Sequence, residues 1–192
     1  INVSKPVSAL RQVILDFRRL FAGKPVTTES ELFRLYGFTL NLNEPVDIPI
    51  VVGVRGPQML KLAGQLADGV ILSGPIDYIY DAISIVNQAA TEANRKVQSI
   101  EKIVWLPTIP TFKGGSEKIA KKVVALVVAD TPTQVLDTLN IDLERAEKIR
   151  QAVATLGSKA GAELVNREFI DAFSISGTKE YMADRFDLLH KL

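Results

Sequence analysis

The chain has 192 residues, 47% hydrophobic and 23% charged, a composition that excludes disordered, collagen-like and coiled-coil classes. Lysine plus arginine total 23 against 22 for aspartate plus glutamate, so no bulk charge favours nucleic acid or an anionic membrane surface. Cysteine is absent and His190 is the single histidine, which removes disulfides, thiolate zinc sites, cysteine nucleophiles, histidine-rich metal sites and most Ser-His triads.

In chain order, residues 4–23 predict an amphipathic helix. Val7, Leu10, Ile14, Phe17 and Phe21 share a face, with Ser4 as N-cap, Pro6 in the first turn and Gly23 as C-cap. Residues 27–47 lack a clean period and read as a connection with at most a short strand over 35–40. The run Ile48–Val54 is continuous and β-branched, the pattern of a parallel strand buried on both faces. Gly56-Pro57 breaks it. Met59, Leu60, Ala63, Leu66 and Ala67 line a short helix, Asp68-Gly69 stops that helix, and Val70–Leu72 forms the next strand. A long helix follows from Asp77 to about Lys96, then a third strand over 102–108, ended by Pro107 and Pro110. After Gly114-Gly115, with Ser116 as N-cap, the pattern stays helical. It gives helices to Ala129, over 131–139, 143–156 and 159–166, and a last one over 179–192 capped by Thr178. The longest apolar run, Val123–Ala129, is too short to span a bilayer, and no cationic segment followed by an apolar stretch suggests export. The expectation is a cytoplasmic α/β protein whose chemistry comes from a cofactor or from carboxylates.

The strongest site candidate is Gly53-Val54-Arg55-Gly56-Pro57, which joins a strand end to a helix start. Glycines let a ligand approach the backbone, helix-start amides attract an anion, and Arg55 adds a guanidinium fork. The functional reading is a phosphate site; the bland one is an ordinary turn with Arg55 in solvent. Ser73-Gly74 ends the next strand, where Ser73 either bonds a cofactor or caps a helix, the latter being preferred. Trp105 offers a face to a planar ring, but a strand tryptophan is more often in the core or packed on a neighbouring helix. His190 reads as a solvated residue near a helix end. Glu144 and Lys148 have the spacing of a solvated ion pair. Among Glu163, Glu168 and Asp171 no spacing singles out an acid, so the catalytic residue stays unassigned and no metal site is expected.

The run Ile48–Leu72 resembles a segment of the bacterial luciferase-like superfamily, in particular its coenzyme F420-dependent branch, the methylenetetrahydromethanopterin reductases. Lys5–Arg11 with Leu20–Gly23, Val123–Ala129 with Asn140–Glu144, and Ala172–Thr178 are similar to further parts of that branch. The resemblance implies a TIM-type (β/α)8 barrel, present here as a single partial domain over 1–192. It implies three parallel strands with surrounding helices and a helical insertion. It also implies that Gly53, Val54, Arg55 and Gly56 hold a cofactor phosphate, with Ser73 and Gly74 near the same cofactor. The implied reaction is hydride transfer between reduced F420 and a methylene-pterin, in an oligomeric enzyme.

Departures carry expectations too. Arg55 stands where the resemblance implies a smaller or uncharged residue. The family barrel begins well before Ile1, its early strands carry the acidic catalytic residue, and a last strand belongs after Leu192. The chain is therefore expected to be part of a longer protein, inactive alone, with open strand edges near Ile50 and Trp105 that favour association. Two alternatives stay open: an FMN-dependent luciferase-like monooxygenase, and a non-catalytic remnant or assembly subunit.

Overall fold

The computed structural model describes residues 4–30, 32–112, 117–139 and 141–191. The expected Gly114-Gly115 turn, the Ser116 cap and Asn140 of the family stretch lie outside the described residues. The chain divides into two units, Ile1–Ile71 with Ile83–Ile103 and Leu72–Ala82 with Val104–Leu192.

In the first unit, helix α1 spans Pro6–Phe21. Its cap is Lys5 rather than Ser4, with no side-chain cap bond. A residue before proline is driven to extended backbone, so Lys5 cannot join the helix. At the other end the Gly23 and Lys24 amides turn back to the Leu20 and Arg19 carbonyls. This stop requires a left-handed residue, supplied by Gly23 at φ 69°. Strands β1, Val26–Glu29, and β2, Arg34–Phe38, then form an antiparallel hairpin that the sequence shows only as a short strand.

Strand β3 covers Val51–Gly53, shorter than the predicted run. Proline at 49 has no N–H, and the Ile50 amide is taken by the Asp68 carboxylate at 2.8 Å, so the ladder begins one residue later. Helix α2, Pro57–Leu66, leads to strand β4, Gly69–Leu72, which pairs parallel with β3 in the register Val52↔Val70. Burial of β3 is one-sided, a correction to the two-faced expectation: Val52 is 7% exposed and Val51 38%. The cause is position, because β3 forms an edge of the sheet β3-β4-β5.

Helix α3, Ile76–Glu92, follows, then a 3-10 turn at Val97–Ser99 and strand β5, Glu101–Val104. Gly64 lets α2 lie directly on α3: a Cβ there would strike the Val86 carbonyl and come within 2.9 Å of the Ala89 Cβ. The start of β4 is held by ion pairing. Arg18 of α1 donates to the Asp68 carboxylate at 2.7 Å and to the Leu66 carbonyl at 2.8 Å. Arg95 donates to the Gly64 and Ala67 carbonyls, both at 2.7 Å. Burial alone would raise the Asp68 pKa, but the Arg18 guanidinium and the Ile50 amide hold it below the usual carboxylate range.

In the second unit the predicted third strand is interrupted. After β5 the chain passes Trp105-Leu106-Pro107 and resumes as β6, Thr108–Pro110. Pro107 lacks an N–H for a ladder, though its carbonyl accepts from Ile175 at 2.9 Å. Strand β7, Ile175–Gly177, pairs parallel with β6 where the sequence predicts only a link into the last helix.

Between β6 and β7 lies the expected helical insertion. It comprises α4, Glu117–Asp130; α5, Thr133–Leu136; α6, Leu143–Leu156; α7, Ser158–Leu164; and α8, Arg167–Phe173. Val124, Val128, Ile149, Phe169 and Phe173 anchor its core. Asn166, expected inside a helix, instead caps α8 by accepting from the Phe169 amide at 3.1 Å. The expected Thr178 cap of helix α9, Lys179–His190, is present. The fold is thus α/β with parallel strands, and among the described residues it does not close into a barrel. Among the described residues no helix is long and apolar enough to cross a membrane.

Candidate functional site

The turn after β3 is built as its residues dictate. Gly53 is the last strand residue, exposed, and a Cβ placed on it would meet nothing within 4 Å. Val54 points the other way and is 9% exposed, so its side chain anchors the turn in the core while its backbone stays in the bend. Arg55 and Gly56 are half-buried. Gly56 caps α2 at φ 80°, a conformation that suits glycine, and Pro57 takes the first helical position. A glycine cap brings no side-chain oxygen of its own to the first-turn amides. Two side-chain-free positions with open space, a helix start and an adjacent guanidinium form a donor set suited to a phosphate dianion. These four residues come together because they are contiguous.

Ser73 and Gly74 follow the end of β4. Ser73 is half-buried. Gly74 is buried with φ 139°, and a Cβ on it would lie 3.2 Å from the Tyr78 ring. Its space is therefore used for packing against α3, and only its backbone remains to serve a ligand. Trp105 follows the end of β5 and is 71% exposed. This corrects the core reading: adjacent apolar residues do not reveal which face of a sheet is covered. Thr108 is exposed, whereas the Thr111 hydroxyl donates to the Gly177 carbonyl at 3.0 Å.

Among the three carboxylates considered as acids, Glu163 and Glu168 are exposed. Asp171 is engaged in a cluster that sequence reasoning missed. Arg167 donates to both of its oxygens, at 2.6 and 3.0 Å, and the Tyr181 hydroxyl donates to it as well. Arg167 also donates to the Ser176 carbonyl at 3.0 Å, lies over the Tyr181 ring, and so ties α8 and α9 to β7. The Asp171 hydrogen bond raises the Arg167 pKa further, while burial and then Asp171 raise that of Tyr181. Both groups keep their protons, so the cluster positions backbone rather than moving protons. The four-residue spacing of Arg167 and Asp171 on one helix was the available signal. His190 is exposed in the last turn of α9, and Lys148 bonds Glu144 at 2.6 Å as expected. Among the described residues no group of three or more His, Cys, Asp or Glu side chains could hold a metal.

The family model described as luciferase-like monooxygenase matches residues 1–192. The chain is similar to a 5,10-methylenetetrahydromethanopterin reductase of Archaeoglobus fulgidus, 31% identical over 100% of this chain and 59% of that protein. A protein of the same description from Methanopyrus kandleri is 31% identical over 97% of this chain and 54% of its own length. A solved structure of the coenzyme F420-dependent tetrahydromethanopterin reductase from Methanopyrus kandleri superposes with a TM-score of 0.84 at 28% identity. That match covers 97% of this chain and 55% of the other. The chain thus spans between half and three-fifths of the length of these relatives.

Proposed function

Since the chain belongs to the luciferase-like monooxygenase family, we propose that this protein is an F420-dependent oxidoreductase acting between reduced F420 and a methylene-pterin. Similarity along the whole chain to proteins described as methylenetetrahydromethanopterin reductases supports that branch over the flavin monooxygenases. The single observation that carries the reading is the turn Gly53–Gly56, open at both glycines beside Arg55 and a helix start.

Bound F420 would supply the hydride chemistry, and this chain's residues would supply binding and orientation. Backbone amides of the turn and the Arg55 guanidinium hold the cofactor phosphate. Val54 fixes the turn by burying its side chain, so the amides are set before the ligand arrives. Ser73 and Gly74 are the further residues assigned to the cofactor on this reading. Holding two rings in a fixed relation provides the acceleration expected of orientation. On this reading the catalytic acid is not among these residues, and the 192 residues alone do not turn over. The protein is a cytoplasmic homo-oligomer with neither a nucleic-acid nor a membrane partner.

Equilibrium dialysis against F420 and FMN tests the proposal. F420 binding that weakens about tenfold in Arg55→Ala is expected for a charge-assisted phosphate contact. Tight FMN binding without F420 binding gives the monooxygenase reading, and binding of neither gives a non-catalytic protein.

A further inference from the structure

We infer that the Trp105 indole is a stacking platform for a planar heteroaromatic ring; the inference rests on the reading above and deepens it. Three observations meet at this residue. The indole is 71% exposed although it is the largest apolar side chain in the sequence. Its neighbours Val104 and Leu106 are half-buried, so exposure in the run 102–107 is confined to this side chain.

The backbone beneath it is fixed on both sides. The Trp105 amide donates to the Leu72 carbonyl at 2.8 Å, and the Pro107 carbonyl accepts from the Ile175 amide at 2.9 Å. The first bond sets Trp105 against the end of β4, where the next residue, Ser73, is half-buried. A rigid ring on a pinned backbone loses little freedom when a ligand settles on it.

The third observation is the position, just past the C-terminal end of a parallel strand. Ligands collect at that end because loops and helix starts converge there. Relatives described as acting with F420 and on a methanopterin bring two such rings, a deazaflavin and a pterin. A π-face suits either, and its partner adds dispersion and displaces water.

The sequence holds one tryptophan, so its emission reports this indole alone. Acrylamide quenching is measured on the protein without ligand, with F420 and with tetrahydromethanopterin. Equilibrium dialysis gives the affinity of each ring for wild type, Trp105→Phe and Trp105→Ala. The expected result is an accessible indole in the free protein that one of the two rings shields. The same ring then binds about tenfold more weakly, or worse, in Trp105→Ala, the loss seen when a stacked base loses its aromatic partner. Its affinity in Trp105→Phe stays within about threefold, since a ring face remains. The arm that responds names the ring.

An indole already shielded in the free protein overturns the inference, because protein then covers it. So does a ring that binds by dialysis while quenching and the Trp105→Ala affinity stay unchanged. Absence of F420 binding defeats the proposed function while leaving Trp105 to be decided by the pterin arm. Absence of binding by both rings defeats the two together.

Discussion

The two ends of the β3–α2–β4 unit are built on opposite plans. Where the helix packs and the second strand begins, the backbone is closely packed and tied down by named side chains. Gly64 lies against the Val86 carbonyl, Asp68 takes Arg18 and the Ile50 amide, and Arg95 closes the Gly64 and Ala67 carbonyls. Where the first strand ends, Gly53 and Gly56 face open space. The same residue type serves both ends for opposite reasons: at 64 a side chain has nowhere to go, and at 53 nothing is there to stop one. Close packing marks the end that stabilises the fold, and side-chain-free positions with room around them mark the end proposed to receive a ligand.

The comparison breaks most visibly at Gly64. Gly64→Val is expected to cost about 3 kcal/mol, since α2 must lift off α3, and chemical denaturation measures it. A loss below about 1 kcal/mol would mean that the two helices are not held at this distance. Asp68→Ala is expected to cost about 2 kcal/mol, because it strands the Ile50 amide and the Arg18 charge. Asp68 also gives the packed end a pH signature. Its folded pKa lies below the unfolded one, so its stabilisation is complete above about pH 4 and fades as pH falls through the lower folded value. Melting temperature should therefore drop more steeply under acid in wild type than in Asp68→Asn.

At the open end the expected effects move from stability to binding. Arg55→Ala should leave stability within about 0.5 kcal/mol while weakening F420 about tenfold, and a matched loss of stability would assign Arg55 to the packed end instead. The smallest effect belongs to Gly56→Ala, about 1 kcal/mol from forcing a side chain into φ 80°, read from the same denaturation series.

Legibility in the sequence followed the same division. The unit from β3 to α3 could be read because an apolar β-branched run, Gly56-Pro57 and Asp68-Gly69 each carry a local cause. The insertion helix over 143–156 has the predicted bounds because Asp142 and Gly157 mark its ends. Strand β7 was not legible: it has three residues, all buried, and includes Ser176, whose hydroxyl is satisfied by the distant Ile109 carbonyl at 2.9 Å. No period fits three positions, and the partner lies far along the chain. Helix α8 was missed because Asn166 continues one apparent pattern while capping the next. In β2 four of five residues are exposed, so no alternation announces the strand. At the site, the glycine turn was visible as a motif, whereas the exposure of Trp105 depends on which sheet face is covered, and residue order alone does not encode that.

The hairpin β1–β2 carries a practical corollary. Its first strand is anchored by Val26 and Thr28, whereas Tyr36 and Phe38 at its far side are exposed. Gly37, at φ 59°, has nothing within 4 Å of where a side chain would begin. An epitope or fluorophore grafted at that outer ribbon would project into solvent without disturbing the interior, giving the protein a handle for immobilisation or imaging remote in sequence from the glycine turn.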